Sequence, residues 1–513
     1  MKYNLNLFIT FYISLILIHS ISSDKHTKEE WKSRAIYQIL TDRFALSDDD
    51  DQAQCDCSSL CNQTCGGTFN GIKNHLDYIK GMGFGAIWIS PPLKNKPESY
   101  HGYHNIDINT INPNFGTAQE LKDLITECHN KDIWVILDAV PNHMADGVDK
   151  STLKPFDKEE YYHGEIEGLN CSEWDNYNQT IVENCDVWGL PDLKQENDFV
   201  KKTLIDWLKN TLNNYGFDGV RNADVPNVPK WFWGNFTEAA NTYTLGIVGV
   251  NSGNEKDVEY VAGYEDYMDA VGNYPLYYTI RESFCTGTRQ GSMNTLNSFI
   301  QNMQKKFKKP EYMGIWIGNH DKERFLYQCP QNISLRNSIV FTFFFEGIPM
   351  FYYGDEQYFN GSGDPNNREM LFGHYNTDTE IYKLLATINN IRKTEKIYEE
   401  DFIRRYHDNN HYIFTRGNVL IAVGNGDATS TDITLRKHGY KNGDKLCNAL
   451  ISDNTDCITV ADNELHINLV GEPKIYIKQT RQNSGQAIVV DEDNSKFLEK
   501  CLLGLFLSLL FYL

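Results

Sequence analysis

Positive charge is what this chain has least of: 48 Lys and Arg stand against 69 Asp and Glu, a formal net charge of −21 over 513 residues. An imbalance of that sign excludes nucleic acid and anionic membrane surfaces as electrostatic partners. The two terminal apolar runs, Leu7–Ile18 and Cys501–Leu513, fall short of the roughly 20 residues that a helix needs to cross a bilayer. No internal repeat or long low-complexity tract is present. The cluster Cys55, Cys57, Cys61 and Cys65 lacks both the paired CxxC spacing and the nearby His of a zinc site.

What is there describes a globular protein of two or three domains, with 41% hydrophobic and 13% aromatic residues. The abundant Tyr and Trp would suit sugar stacking, but aromatics in a protein of this size are mostly core. Residues 1–23, with Lys2 ahead of the apolar run and Ser20–Ser23 behind it, read as a secretory signal peptide. Residues 481–513, with Asn483-Ser484-Gly485, a polar spacer and the terminal apolar run, match a lipid-anchor (GPI) attachment signal. A secreted or cell-surface protein is expected. The cysteines, among them the loop-bracketing Cys171 with Cys185 and Cys447 with Cys457, agree with an oxidising compartment. So do the sequons at Asn62, Asn170, Asn178, Asn235, Asn332 and Asn360.

From Ala35 onward β-rich runs alternate with amphipathic helices. The strands expected are Ala35–Leu40, Ala86–Ser90, Trp134–Val140, Gly219–Asp224, Leu245–Val250, Tyr274–Ile280, Gly314–Asn319 and Pro349–Tyr353. Such alternation predicts an α/β fold, a parallel (β/α)8 TIM barrel, over residues 24–141 and 194–395. Residues 142–193, rich in Tyr, Asp, Asn and Gly, form too long a connection for a plain loop and are expected to be an inserted subdomain after strand three. Residues 396–480 break into short β segments punctuated by Gly, Asn and Asp, a C-terminal antiparallel β domain.

The stretch Gly219-Val220-Arg221-Asn222-Ala223-Asp224-Val225-Pro226-Asn227-Val228 resembles the fourth-strand motif of the α-amylases, glycoside hydrolase family 13, which runs G-[LV]-R-x-D-x-V-x-H. The resemblance is dense. Tyr100-His101-Gly102-Tyr103 looks like the loop whose Tyr stacks under the sugar beside the cleaved bond. Asp138-Ala139-Val140-Pro141-Asn142-His143 looks like the third-strand motif, and Asn319-His320-Asp321 like the seventh. Gly347-Ile348-Pro349 with Tyr352-Tyr353-Gly354-Asp355-Glu356 matches the eighth. It runs from about Trp31 to about Lys478, is closest to the fungal type, and implies a C-terminal β-sandwich.

Retaining glycosidases need a nucleophilic carboxylate and an acid about 5–5.5 Å apart. By the resemblance the nucleophile position holds Ala223 and the acid/base position Ile247, and neither side chain can do the work. Asp321 keeps the position of the transition-state stabiliser. Substrate-binding positions are kept at Tyr103, His143, Arg221, His320, Asp364 and Arg368. His104 replaces a platform Trp, and Pro226-Asn227 replaces a Lys-His pair. Strand alternation places Asp224 on the face opposite Arg221 and Ala223, and Glu255 is the nearest substitute acid. Arg221, without its usual carboxylate neighbour, is expected to turn to Asp321 or a ligand.

The resemblance also maps calcium ligands to Asn142, Glu183 (backbone carbonyl), Asp192 and Asn227 (backbone carbonyl), an oxygen set that suits Ca2+. The disulfides expected are Cys57–Cys65 and Cys171–Cys185. An α-glucan such as starch, glycogen or a maltooligosaccharide is the expected ligand. A protein partner, in the manner of the amylase-like heavy chains of amino-acid transporters, is the alternative, and hydrolysis through substitute carboxylates a third reading.

Overall fold

The structure, a computed structural model, describes residues 26–479 apart from 48–54, 56–60, 165–168, 173–174, 286–290, 427–429, 452 and 454. The expected signal peptide and the lipid-anchor segment lie outside these residues. No helix among the described residues is long and apolar enough to cross a membrane.

Eight parallel strands make one sheet, in the spatial order 6-5-4-3-2-1-8-7. They are Ile36–Ile39, Ala86–Ile89, Trp134–Ala139, Gly219–Asn222, Tyr243–Gly246, Ala270–Val271, Gly314–Ile315 and Ile348–Tyr352. A parallel bridge between Gly272 and Gly314 joins the sixth and seventh and closes the barrel. Strand residues such as Ile36, Ile87, Val135, Leu137 and Leu245 are buried, as expected where one face fills the barrel and the other is covered by helices. The helices follow their sequence signals. Asp198–Tyr215 starts at Asn197, whose side chain accepts from two helix N–H groups, and stops at Gly216, which takes a left-handed φ of 84°.

One expected strand is corrected. Tyr274–Ile280 is not the sixth strand but lies in the helix Tyr274–Phe284, and the strand is the two-residue Ala270–Val271 just before it. The Tyr-rich run has high β propensity, yet Asn273 caps the first turn by accepting from the Leu276 N–H, and Pro275 sits where a helix tolerates it.

The described residues of 142–193 are mostly irregular, with two short 3-10 turns, the α-helix Gln179–Asn184 and a Cys171–Cys185 disulfide. Bridges from His143 to Asp192 and from Tyr162 to Leu193 fasten the segment's ends together. The expected Cys57–Cys65 pairing is wrong: Cys65 is bonded to Cys55, with Cα atoms 4.8 Å apart. Four cysteines within eleven residues are all close in sequence, so the path of the chain rather than spacing selects the partner. Another bridge joins Cys447 to Cys457.

The C-terminal domain is a six-stranded antiparallel sheet and a two-stranded one, Thr431–Leu435 with Leu465–Leu469. Ile413, Leu420, Ile433, Leu435, Ile467 and Tyr476 form their shared core. Asn337, on the barrel helix Asn332–Phe344, accepts from the Gly424 N–H at 2.8 Å and donates to the Gly471 carbonyl at 2.8 Å. Those bonds fix the domain to the barrel.

Candidate active site

At the C-terminal end of the strands lies a cleft of about 890 Å³, where barrels of this kind carry their chemistry. Its lining includes Tyr103, His143, Arg221, Ala223, Ile247, His320, Asp321, Asp364 and Arg368. Every residue assigned to sugar handling on sequence grounds therefore opens into one space.

The floor is built on a buried ion pair between adjacent strands. Asp138 and Arg221 are register partners, and the Arg221 Nη1–H donates to Asp138 Oδ1 at 2.8 Å. Trp88 Nε1–H and the Tyr103 hydroxyl donate to Asp138 Oδ2 at 2.9 and 2.6 Å. Burial pushes the Asp138 carboxyl up; Arg221 and these donors pull it back. Arg221 thus leans on Asp138, where the sequence pointed to Asp321 or a ligand. Its Nε–H is buried and has no hydrogen-bond partner, on a strand whose next inward position is Ala223.

His320 stacks on Tyr103, ring centroids 5.4 Å apart and 5° from parallel. Its Nδ1 lies 2.6 Å from Gln38 Nε2, which can only donate, so the ring proton sits on Nε2, 3.1 Å from Asp321 Oδ1. Burial, helped by Arg368 and Arg221, pushes His320 down to about 3, so it is a neutral donor to Asp321. Asp321 also accepts from the Tyr274 hydroxyl at 3.0 Å. Burial acts to raise its carboxyl, but His320, Arg221 and Arg368 hold it below the usual range. It is a fixed anion facing the cleft. Asp364 pairs with Arg368 at 2.9 Å, and Arg368 donates to the His320 carbonyl at 3.0 Å and the Tyr100 hydroxyl at 3.1 Å.

Ala223 and Ile247 follow the fourth and fifth strands directly. The Ala223 N–H donates to Ala139 at 2.9 Å and the Ile247 N–H to Asn222 at 3.0 Å, which fixes both side chains at the cleft wall. Asp224 departs from expectation, because it too lines the cleft. The ladder is unbroken through Asn222, so no bulge is involved. The strand has ended, and Asp224 takes a left-handed φ of 48° that starts the short helix Val225–Asn227. Alternation does not extend past the last paired residue, and Asp tolerates this conformation better than most. Asp224 Oδ2 lies 3.5 Å from His143 Nδ1; His143 Nε2 lies 3.0 Å from the Tyr103 carbonyl. Glu255 is elsewhere: it begins the helix Glu255–Ala262 and faces Lys306 at 3.4 Å.

Three of the four calcium positions converge. Asn142 Nδ2 lies 2.7 Å from Asp192 Oδ1 and 2.9 Å from the Asn227 carbonyl. Turning that amide about its last torsion would aim Oδ1 at the same point, giving three oxygens that repel one another unless a cation lies between them. The donor set fits a hard divalent ion. Glu183 is the fourth; its carboxylate accepts from Gln179 at 2.6 Å. His163 covers the other Asp192 oxygen at 2.7 Å.

Three participants were not singled out beforehand as site residues: Asp138, Tyr274 and Trp188. Asp138 was legible in its motif. Tyr274 was hidden by the strand assignment. Trp188 carries no motif.

An eight-stranded parallel barrel with an Arg, a His and an Asp converging on a cleft at its strand ends defines a scaffold of the glycoside-hydrolase type. The chain belongs to the α-amylase family: the family model described as "Alpha amylase, catalytic domain" matches residues 38–410. It is 35% identical over 476 residues to the α-amylase of Saccharomycopsis fibuligera, covering 88% of this chain and 92% of that protein. To α-amylase 1 of Schwanniomyces occidentalis it is 36% identical over 493 residues, covering 90% and 92%. Among solved structures, an α-amylase from Malbranchea cinnamomea superposes with a TM-score of 0.81 at 32% identity, covering 88% of this chain and 98% of that one.

Proposed function

We propose that this protein binds α-1,4-glucans at the barrel mouth without hydrolysing them. The observation that carries the reading is the pair Ala223 and Ile247, both lining the cleft at the positions that the family resemblance assigns to nucleophile and acid. An alkyl side chain has no lone pair to attack the anomeric carbon and no proton for the leaving oxygen. Asp321, held ionised, is no proton donor at neutral pH. Support for binding comes from the lining of the cleft: Tyr103 is suited to stack on a sugar, His320 and Arg368 to donate, and Asp321 and Asp364 to accept. Starch, glycogen and maltooligosaccharides are the ligands this set suits.

Calcium, held by Asn142, Asp192 and the Asn227 carbonyl, with the Glu183 backbone carbonyl as the fourth ligand that the family resemblance implies, would tie the inserted segment to the barrel and take no part in bond cleavage. Secretion and a lipid anchor at the cell surface complete the proposal, on the strength of the terminal sequences. A protein partner in place of a glucan is the alternative for a cleft that binds no sugar.

One observation favours a hydrolytic reading: Asp224 faces the cleft. Attack through Asp224 would still need a second carboxyl as proton donor, and the other carboxyls lining the cleft are Asp321, held ionised, and Asp364, paired with Arg368. Two measurements decide among the readings. Binding of maltoheptaose and glycogen by the purified protein supports the glucan reading, and its absence supports the protein partner. Release of reducing sugar from starch by the unmodified protein would refute the non-hydrolytic reading.

A further inference from the structure

Trp188 is 85% exposed, more than any other large apolar side chain among the described residues. It stands at the tip of the turn Val187-Trp188-Gly189-Leu190, closed by the Leu190 N–H donating to the Val187 carbonyl at 3.0 Å. Both central residues have positive φ, 53° at Trp188 and 80° at Gly189. Two-residue turns of this kind favour Asn-Gly or Asp-Gly, and a bulky side chain at the first position is sterically costly. Folding alone gives no reason to put Trp there. Strain of this sort, held in place by its surroundings, points to use.

The surroundings do hold it. Cys185, two residues before the turn, is bonded to Cys171. Val187 and Leu190 are buried, and Asp186 Oδ1 accepts from the Asp192 N–H at 3.1 Å. The indole is therefore displayed from a rigid base. It lines the same cleft as Arg221 and Asp321, on the wall supplied by the inserted segment. The aromatic provision of the floor is thin: Tyr103 is packed on His320, and His104 stands where the family resemblance places a Trp.

We infer that Trp188 is the aromatic stacking platform of the glucan cleft, taking the apolar C–H face of a glucose ring beyond those held at Asp321. This rests on the glucan-binding reading above. The chemistry suits it, since a sugar ring has one hydrophobic face and an exposed indole offers a flat, polarisable surface that becomes dehydrated on contact.

The test uses the full secreted protein, with maltoheptaose as the probe. Trp188→Ala should weaken maltoheptaose binding about five- to tenfold, and Trp188→Phe should retain most of it. In the unmodified protein, maltoheptaose should shield tryptophan fluorescence from acrylamide, and the shielded component should be missing in Trp188→Phe. Trp188→Asn separates binding from folding. Asn suits a left-handed turn position, so its melting temperature should equal or exceed that of the parent while its affinity falls. If Asp321→Ala weakens binding but Trp188→Ala binds like the parent, the platform assignment is overturned and the glucan reading stands. If the unmodified protein binds neither maltoheptaose nor glycogen, both are overturned.

Discussion

Two adjacent residues, Ala223 and Asp224, carry the chemical question. Ala223 ends the inward-facing row that begins at Arg221, while Asp224 reaches the cleft only because the backbone turns left-handed there. If the family positions are read correctly, the unmodified protein releases no reducing sugar from starch or an activated maltoside. Ala223→Asp or Ile247→Glu alone should stay at background, because each half of the mechanism needs the other. The double variant should rise at least about tenfold above either single one, since the unsatisfied Arg221 Nε–H awaits an acceptor and Asp321 is in place. The control is Asp224→Ala. If the parent cleaves starch and this change abolishes cleavage without unfolding it, Asp224 is the nucleophile.

At the scale of elements, two tethers are open to measurement. Glu356, in the short helix Asp355–Gln357 after the eighth strand, is buried. It accepts from the hydroxyl of Tyr37 on the first strand at 2.7 Å and of Tyr78 on the helix Leu76–Gly81 at 2.9 Å. Burial raises this carboxyl from 4.5 to about 7. An acid raised in the folded state favours the fold most while protonated. Its contribution is thus full below about pH 4.5 and lost as pH rises through about 7. Glu356→Gln should flatten that decline, a difference of roughly 1–3 kcal/mol between acid and neutral pH in denaturant melts. Parallel pH profiles of parent and variant would refute it.

The second tether is the proposed calcium site, where Asn142 at the end of the third strand meets Asp192 at the end of the insert and Asn227 after the fourth strand. A native-state ligand stabilises by mass action, so chelation should lower the melting temperature by several degrees and added calcium should restore it. A melting curve indifferent to both would remove calcium from the account.

For the whole molecule, the prediction concerns its address. If residues 481–513 are exchanged for a lipid anchor, phosphatidylinositol-specific phospholipase should release the protein from cells. Protein that remains on the membrane with Cys501–Leu513 intact by mass spectrometry would overturn that reading. The cleft opens at the strand ends, and the C-terminal sheets are fixed to the barrel through the helix Asn332–Phe344.

By itself the sequence determined the barrel architecture and, through its motifs, many of the residues that line the cleft, though not Tyr274 or Trp188. Periodicity is a property of each segment alone, and a motif such as Asn319-His320-Asp321 carries its strand-end location with it. What the sequence could not decide were features that depend on where one element stops against another. Asp224 faces the cleft because the register pairs end at Asn222 and the last bond to the third strand is made by the Ala223 N–H, so the rule of alternation, valid within a ladder, no longer governs the left-handed residue that follows. Arg221 found Asp138 because strand register sets them side by side, a relation between residues far apart in the chain. Cys65 is bonded to Cys55 and not to Cys57, a choice that spacing alone leaves open among cysteines so close in sequence. Trp188 left no pattern in the sequence: a single tryptophan reads as core until tertiary contacts bury its neighbours and leave it standing in solvent at the rim of the cleft.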